Sequence, residues 1–467
     1  MPPSPPNPSP AERPPELKVA KFGGTSLADA AALRRVRDIV ATDPARVAIV
    51  PSAPGKRSDA DKKITDLLYL CHEHARQGLD VDPVFGLIRE RFEGILEALR
   101  GDLARPVDLG PVLETARAEI EAAAAADRGP DYAASRGEAI NGRILAALLD
   151  MPYVDAAEVI RFDRRGRLDA AATDAAVNTA FAEAGRLVVP GFYGSDPDGR
   201  IRTFSRGGSD VTGAIVARAL GAAVYENWTD VSGLLATDPR IVDGPETIDV
   251  LTYRELRELS YMGATVLHPE AVFPVREAEI PVNIRNTREP DHPGTRIVAT
   301  TDPAADAGPD ARPVTGIAGR KGFTVIALEK ALMNEAVGYG EQVLGVLRKA
   351  GVSFEHMPSG IDTLSVVTRD DELEGKLEQV IDDLHRVVEP DHVEVDPNLS
   401  LIAIVGRSMK TRPGRAAAAF NALAAANVNI RMIDQGSSEL NSIVGVDDGQ
   451  FETAVRAIYA AFFREAN

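Results

Sequence analysis

Three short stretches concentrate lysine, glycine, hydroxyl and carboxylate groups in a way that suits phosphate and amino-acid chemistry. The first is Lys21-Phe22-Gly23-Gly24-Thr25-Ser26, which closes a β-rich run and opens an amphipathic one. Adjacent glycines admit a ligand close to the backbone, and the N–H groups at the start of a helix favour an anion. A Gly-Gly pair is also an ordinary tight turn, and the spacing of a P-loop is absent. Lys21 is out of character for a parallel strand, where near-continuous apolar residues are expected. A lysine at the carboxyl end of a first strand stands where open α/β sheets bind ligands, although long lysine stems also snorkel to the surface.

The second stretch runs from Thr203 to Gly213 through Arg206, Gly207, Gly208, Ser209 and Asp210. Here the residue types complement an amino acid: a guanidinium clamps a carboxylate with two parallel hydrogen bonds, and Asp210 or a nearby carboxylate holds an ammonium. Ser209 equally suits a helix N-cap. The third stretch, Glu226 to Gly233 and on to Arg240, places carboxylates at a strand end, where they are costly unless they meet a cation or cap a helix. Asp230 and Arg240 are candidates for nucleotide contact, while Asp238-Pro239 is a common turn.

To bring such stretches together the chain must alternate strands and helices. It does so from Leu17 onward: LKVAKF, the helical pattern from Ala28 to Ile39, VAIVPS, Ile64 to Arg76, Tyr132 to Leu149, the β-rich PYVDAAEVI and RLVVPGFYG, the helix after Ser209, AVYENWTDV and PVNIRNT. That rhythm predicts an α/β fold with a mostly parallel central sheet and helices on both faces. Residues 1–16 are proline-rich and read as a disordered tail. Residues 17–300 form the first expected domain, and the Pro/Asp/Ala/Gly-rich 301–313 is a linker. Two similar units follow, at 320–396, with the order strand–helix–strand–strand–helix–strand, and at 397–467. The second stops one strand short, and the spare run 314–319 is expected to cross over and complete it, so that the two units interlace.

The 467 residues, 44% hydrophobic and 26% charged, are those of an ordinary globular protein too long for one core. A net charge of −18 argues against nucleic acid or an anionic membrane as partner. No apolar run approaches the roughly 20 residues of a membrane span, and no secretory leader opens the chain, so a cytoplasmic location is expected. The single cysteine, Cys71, excludes an intrachain disulfide and a cysteine-rich zinc site.

KFGGTS, SRGEAING at Ser135 to Gly142, FSRGGSDVTG, WTDVSG, TDPR and MGATVLHPEA at Met262 to Ala271, in that order, resemble the aspartate kinases of the amino-acid kinase superfamily. VNIRMIDQGSSELNSIVGV is similar to the second of their paired C-terminal ACT domains. The resemblance implies the amino-acid kinase fold followed by two interlaced ACT (βαββαβ) domains, with ATP, Mg²⁺ and L-aspartate as the reacting partners. It implies that Lys21 meets the transferring phosphoryl group with Gly23, Gly24 and Thr25 around it. Ser52 and Thr65 match the family's serine and threonine of the next loop and helix. Glu138 and Asp210 are implied to hold the substrate ammonium, Arg206 to clamp the α-carboxylate within Gly207, Gly208 and Ser209, and Thr229, Asp230 and Arg240 to line the ATP site. No metal ligand among the side chains is implied; Mg²⁺ would arrive on ATP. An effector amino acid, lysine ahead of threonine, would bind at Met333, Val337, Gly338, Tyr339, Ser353, Phe354, Glu355 and Asp362. Val337, Val352 and Phe354 read equally well as core. A homodimer or dimer of dimers through the ACT domains is implied as well.

Three departures from the family pattern stand out. The loop after Ser52, APGKRSDADKK, is long and charged. Leu235 and Thr265 replace a tyrosine and a lysine common in relatives, and Lys56 or Lys62 offers a cation in compensation. A carboxylate nucleophile is already ionised near neutral pH, its pKa being about 3.9. The chemistry then reduces to alignment and cancellation of charge by Lys21, the Gly23 and Gly24 donors and Mg²⁺. Two other readings compete: a different carboxylate or phosphate kinase of the superfamily, such as a glutamate kinase, and a non-catalytic amino-acid sensor on a decayed kinase scaffold.

Overall fold

A run of Val19, Ala20 and Phe22, each fully buried, forms strand β1 (Lys18–Phe22), interrupted only by Lys21. In the computed structural model, which describes residues 16–205, 207–264, 267, 269–301, 314–409, 413–436 and 440–463, this strand is the centre of the first of two units. The tail at 1–15, linker residues 302–313, Arg206 and Thr265 lie outside the described residues. The first unit takes the described residues of Met1–Leu234, Thr247–Tyr253 and Val266–Thr300; the second takes those of Leu235–Glu246, Arg254–Thr265 and Thr301–Asn467.

In the first unit, helix α1 (Ala30–Ala41) follows β1 and is capped by Asp29, whose Oδ1 accepts the Ala32 N–H at 2.8 Å. Strand β2 (Arg46–Pro51) precedes helices α2 (Ile64–Arg76), α3 (Asp82–Leu99), α4 (Gly110–Ala125) and α5 (Asp131–Leu149). After them come α6 (Ala156–Val159), α7 (Ala170–Ala184), β3 (Leu187–Val188), the hairpin β4 (Tyr193–Ser195) and β5 (Ile201–Thr203), α8 (Gly208–Ala219) and β6 (Val224–Thr229). Strands β7 (Val250–Thr252), β8 (Val282–Asn286) and β9 (Thr295–Val298) complete a seven-stranded sheet in the order β3-β2-β1-β6-β8-β9-β7. Every pairing in it is parallel except β8 with β9, so the expected mostly parallel sheet is present. PYVDAAEVI is not a strand. A single bridge joins Tyr153 to Val188, and α6 then starts because Asp155 accepts the Ala157 N–H at 3.0 Å.

The two-residue period of a strand sorts its neighbours onto opposite faces. Ala20, Phe22, Ile49 and Trp228 join the apolar core shared with α1 to α5. Lys21 lies in register with Asn227 of β6 and points to the other face, which α8 covers. Both faces are thus covered, as parallel sheets require. Among the described residues no helix is long and apolar enough to cross a membrane.

The second unit includes most of helix α9 (Tyr253–Tyr261), while the short α10 (Phe273–Glu277) returns to the first. Its five-stranded sheet has the order β11-β10-β12-β14-β13, built from β10 (Gly316–Glu329), β11 (Thr363–Arg369), β12 (His392–Val405), β13 (Met432–Asp434) and β14 (Asn441–Asp447). Helices α11 (Tyr339–Ala350), α12 (Asp370–Leu373), α13 (Leu377–Val388), α14 (Arg415–Ala425) and α15 (Phe451–Phe463) complete it. The runs VTGIAG and GFTVIAL are one strand, β10, and HVEV and SLIAIV are one strand, β12. The first half of β10 pairs with Leu401–Val405, which opens the second repeat, and the second half pairs with 392–399, with the register shifting around Arg320 and Phe323. VSFEHMPS is mostly irregular, joined to β11 by isolated bridges at His356 and Ser359 rather than by a continuous ladder.

Two pieces of 17–300 therefore group with the C-terminal unit. Ile317 N–H donates to Ala236 O at 2.7 Å, Thr315 donates to the buried Glu255 carboxylate at 2.5 Å, and Glu246 N–H donates to the Tyr459 hydroxyl at 2.9 Å.

Candidate functional site

The Lys21 ammonium, 8% exposed, is held 2.6 Å from Asp210 Oδ1 and 3.4 Å from Asn227 Oδ1. Asn227 Nδ2 in turn donates to Asp210 Oδ1 at 2.8 Å. Three elements supply these groups. β1 and β6 place the lysine and the asparagine side by side in register, and Asp210 stands in the first turn of α8. Because Oδ1 takes both donors, Oδ2 of Asp210 is left on the side of Gly207, where a Cβ on that glycine would lie 3.5 Å from it. The first and second motifs thus meet at the carboxyl end of β1, and Asn227, inside the third motif, links them. Nothing about Asn227 in the sequence suggests a role; only the β1–β6 register exposes it.

Beyond Lys21 the chain turns through Gly23 and a 3-10 turn at Gly24–Leu27. Gly23 N–H donates to Trp228 O at 2.9 Å, so it is spent on the fold and does not serve a phosphate as expected. The loop after β2 crosses this turn in tight contact: Ser52 N–H donates to Phe22 O at 3.0 Å and Gly55 N–H to Gly24 O at 2.8 Å. A Cβ on Gly55 would lie 2.6 Å from the Gly24 carbonyl carbon, so glycine at 55 is required by the approach itself. Thr25 is exposed at the turn, and Ser52 and Thr65, at the two ends of the crossing loop, are half-buried.

Glu138 sits on the inner side of α5, 5% exposed. Burial pushes its carboxyl up to about 8, against the pull of the Ala53 backbone N–H and the Arg136 charge. Its Oε2 has no hydrogen-bond partner among the described residues. An unsatisfied buried carboxyl oxygen calls for an explanation, and an incoming ammonium supplies one. The next turn of the same helix is tied to the same loop, since Asn141 Nδ2 donates to Ser52 O at 2.8 Å.

Arg206 lies outside the described residues, so its expected grip on a carboxylate rests on its neighbours. Gly207, at φ +55°, takes the left-handed conformation that caps α8 and suits glycine. Gly208 and Ser209 are buried against Phe192 and Gly191. Phe192 itself holds φ +81°, a conformation rare for a bulky residue, with its N–H bonded to Thr212 Oγ1 at 3.0 Å. Nothing in the sequence signals it. Ser209 makes no cap; the N-cap is Gly207.

Thr229 and Asp230 end β6 at the same carboxyl rim, joined by a 3.1 Å hydrogen bond, with Asp230 exposed. Arg240 belongs to the second unit, exposed and paired with Asp238 at 2.6 Å. Leu235 is half-buried in that unit. On the opposite face of β6 lies a buried cluster in which the Glu226 carboxylate meets the cation its position calls for: it takes Arg46 at 2.7 and 3.2 Å and the Trp228 indole N–H at 2.8 Å. No group of three or more His, Cys, Asp or Glu that could hold a metal occurs among the described residues. An open rim with single carboxylates suits a cation that keeps phosphate and water ligands.

In the second unit the effector candidates divide. Val337, fully exposed, and Phe354, 44% exposed, are not core, whereas Val352, Met333 and Tyr339 are buried. Gly338 caps α11 at φ +84°. Asp362 Oδ1 accepts the Leu332 N–H at 2.9 Å, Ser353 O accepts the Thr368 hydroxyl at 2.7 Å, and Glu355 accepts the Tyr261 hydroxyl.

The amino acid kinase family profile matches residues 16–286, and an ACT domain profile matches 402–462. Over 466 residues the chain is 37% identical to Aspartokinase 3 of Bacillus subtilis (strain 168), covering 96% of this chain and 99% of that protein. Among solved structures it is similar to Clostridium acetobutylicum aspartate kinase, 48% identical with a TM-score of 0.85 over 96% of this chain and 99% of that one. It is also similar to E. coli aspartokinase III, solved with aspartate and ADP (28% identical) and with lysine and aspartate (27%). Both of those have a TM-score of 0.70 over 96% of this chain and the whole of theirs.

Proposed function

The chain belongs to the aspartate kinases of the amino acid kinase family, and from that premise we propose that it transfers the γ-phosphoryl group of Mg²⁺-bound ATP to the side-chain carboxylate of L-aspartate, giving 4-phospho-L-aspartate in the cytoplasm. This would be the first step toward lysine, threonine and methionine. The observation that carries the reading is the buried Lys21 ammonium at the carboxyl end of β1, shared between Asp210 and Asn227.

The nucleophile needs no general base, since a side-chain carboxylate is ionised at neutral pH. What opposes reaction is repulsion between two anions. Lys21 places a desolvated positive charge where charge gathers on the transferring group, a location in which it counts for more than in water. Asp210 Oδ2 and the unpaired Glu138 Oε2 hold the substrate ammonium, Arg206 with Gly207, Gly208 and Ser209 receives the α-carboxylate, and Thr25, Ser52 and Thr65 border the amino acid. Thr229 and Asp230 serve the nucleotide. Mg²⁺ arriving on ATP would supply further charge neutralisation. A carboxylate oxygen forms the new bond to γ-phosphorus as the bridge to the β-phosphate breaks, and ADP leaves.

The second unit is assigned as two interlaced ACT domains, 320–396 and 397–467, the latter completed by 314–319; the pairing of Gly316 with Val405 supports this. They regulate the kinase by binding lysine, with threonine as the second candidate, at the 333–339 and 353–362 segments, and they assemble a homodimer or a dimer of dimers. Lysine is favoured because it occupies a crystal structure of E. coli aspartokinase III. ADP release with aspartate, glutamate, N-acetylglutamate or no acceptor, each with and without lysine, tests the proposal. Aspartate alone should support turnover, and lysine should suppress it; equal rates with glutamate or without acceptor reject the assignment.

A further inference from the structure

Past Pro54 the loop joining β2 to α2 has no apolar anchor: residues 56–60 are all exposed, and behind the loop lies a cleft of about 680 Å³ walled by α1 and α3. Packing therefore does not set the position of this stretch. Polar contacts at its two ends do. At the near end, Gly55 N–H bonds Gly24 O at 2.8 Å and Asn141, one turn beyond Glu138 on α5, bonds Ser52 O at 2.8 Å, which sets the Ala53 N–H where it favours the charged Glu138 carboxylate. At the far end, Asp61 accepts the Arg57 N–H and guanidinium, each at 3.0 Å, and is gripped by Arg91 of α3.

Arg91 is an unusual residue for that helix. It is 7% exposed among Phe85, Ile88, Phe92 and Ile95, on the face that α3 turns to the core. A buried guanidinium is costly unless its donors are used. Here one Nη bonds the Ala28 carbonyl at 3.0 Å, just before the α1 cap, and the other reaches across the cleft to Asp61. It ties together the segment that follows the Lys21 turn and the loop that seats Glu138. Burial of the cation also keeps it weakly hydrated, so that the Asp61 carboxylate is its principal compensation.

Resting on the aspartate kinase reading above, we propose that Arg91, through Asp61, is a positioning residue for the amino-acid substrate: it pins the 53–63 loop so that Ala53 and Glu138 are set for the substrate ammonium. The loop does not touch the Lys21–Asp210 pair through any of these bonds, so chemistry after binding is spared. The consequence is selective for aspartate.

The test is steady-state kinetics of wild type, Arg91→Met, Arg91→Lys and Asp61→Ala. Arg91→Met and Asp61→Ala should each raise the aspartate KM about tenfold, with kcat and the ATP KM within about twofold, as expected for lost ground-state positioning. Arg91→Lys should recover part of the loss. The double variant should be no worse than the worse single one, because one interaction is broken twice. Losing the Ala53 donor should also move the pH midpoint of the aspartate KM upward, which general destabilisation does not do. Should Arg91→Met fail to fold, Asp61→Ala, in the loop rather than in the core of α3, decides alone. An unchanged aspartate KM, or an ATP KM that rises equally, overturns the proposal while leaving the kinase assignment intact. A wild-type chain that releases no ADP with aspartate overturns both.

Discussion

Lys21 and Asp210 face each other at 2.6 Å in the first unit, an ion pair between the end of the central strand and the start of α8. The pair joins the group expected to meet phosphate with the group expected to meet an ammonium, so the two reactants are drawn to one carboxylate. Lys21→Ala removes the only charge in that pair that opposes the repulsion of the reactants. We expect kcat to fall by roughly 10²–10³-fold or more while the circular dichroism spectrum is unchanged. Retention of most of the rate would exclude Lys21 from phosphoryl transfer.

Glu138 makes the enzyme pH-dependent in two measurable ways. Burial raises its carboxyl from 4.5 to about 8, so the folded chain keeps a proton that the unfolded chain releases. The resulting stability is fully present below pH 4.5 and is lost as pH climbs through 8, at up to about 1.4 kcal/mol per unit. Glu138→Gln should flatten urea midpoints across that window. In wild type the substrate ammonium requires the ionised form, so the aspartate KM should fall as pH rises from 6 to 8. A KM that stays level there would show that this carboxyl does not receive the ammonium.

The site residues legible in the sequence are those that break a local rule. Lys21 interrupts an apolar strand, and Gly207 and Asp210 sit in a polar, glycine-rich turn; their types alone suggest the chemistry. Asn227 and Gly55 obey every local rule, and their importance comes from register and from loop crossing between segments far apart in the chain. Arg91 looks like a surface arginine of an amphipathic helix until α3 is seen to turn it inward. The exchange of Leu235–Glu246 and Arg254–Thr265 into the C-terminal unit is likewise invisible in the sequence, because each piece is held by strands and helices that follow it much later. The alternation that predicts the parallel sheet is a local signal, and it carries well; at PYVDAAEVI it misleads, because Asp155 caps a helix there.

The Glu226 cluster bears on stability rather than chemistry. Arg46 and Arg285 flank the Trp228 ring at 5.3 and 4.6 Å, and both face the same buried carboxylate, Arg285 at 3.9 Å. Glu226→Gln takes the carboxylate from both the buried Arg46 and the half-buried Arg285, whereas Arg46→Met leaves Arg285 as partner. Removing one member of a buried pair costs about 3–5 kcal/mol. Glu226→Gln should therefore sit at the top of that range and Arg46→Met below it. Guanidinium chloride unfolding of the two variants settles the order; a larger loss for Arg46→Met would contradict it.

Tyr261 ends α9, a helix whose Glu255 pairs with Arg407 at 2.5 Å and whose Glu258 accepts from Asn441 at 2.6 Å, both in the second repeat of the C-terminal unit, while Tyr261 itself reaches the first. The Tyr261 hydroxyl donates to Glu355, and desolvation, followed by that contact, pushes it up to about 12, so it remains a donor across the physiological range. Arg369 approaches the same carboxylate at 3.6 Å. If Glu355 receives the effector ammonium, the effector must first displace the tyrosine. Tyr261→Phe removes the competitor, and a hydrogen bond to a charged group contributes about 1.5–3 kcal/mol. On an exposed residue that figure shrinks, and we expect the half-inhibitory lysine concentration to drop about threefold to tenfold. Uninhibited kcat and KM should not move. Inhibition that weakens instead would mean that the tyrosine transmits the signal rather than guarding the site.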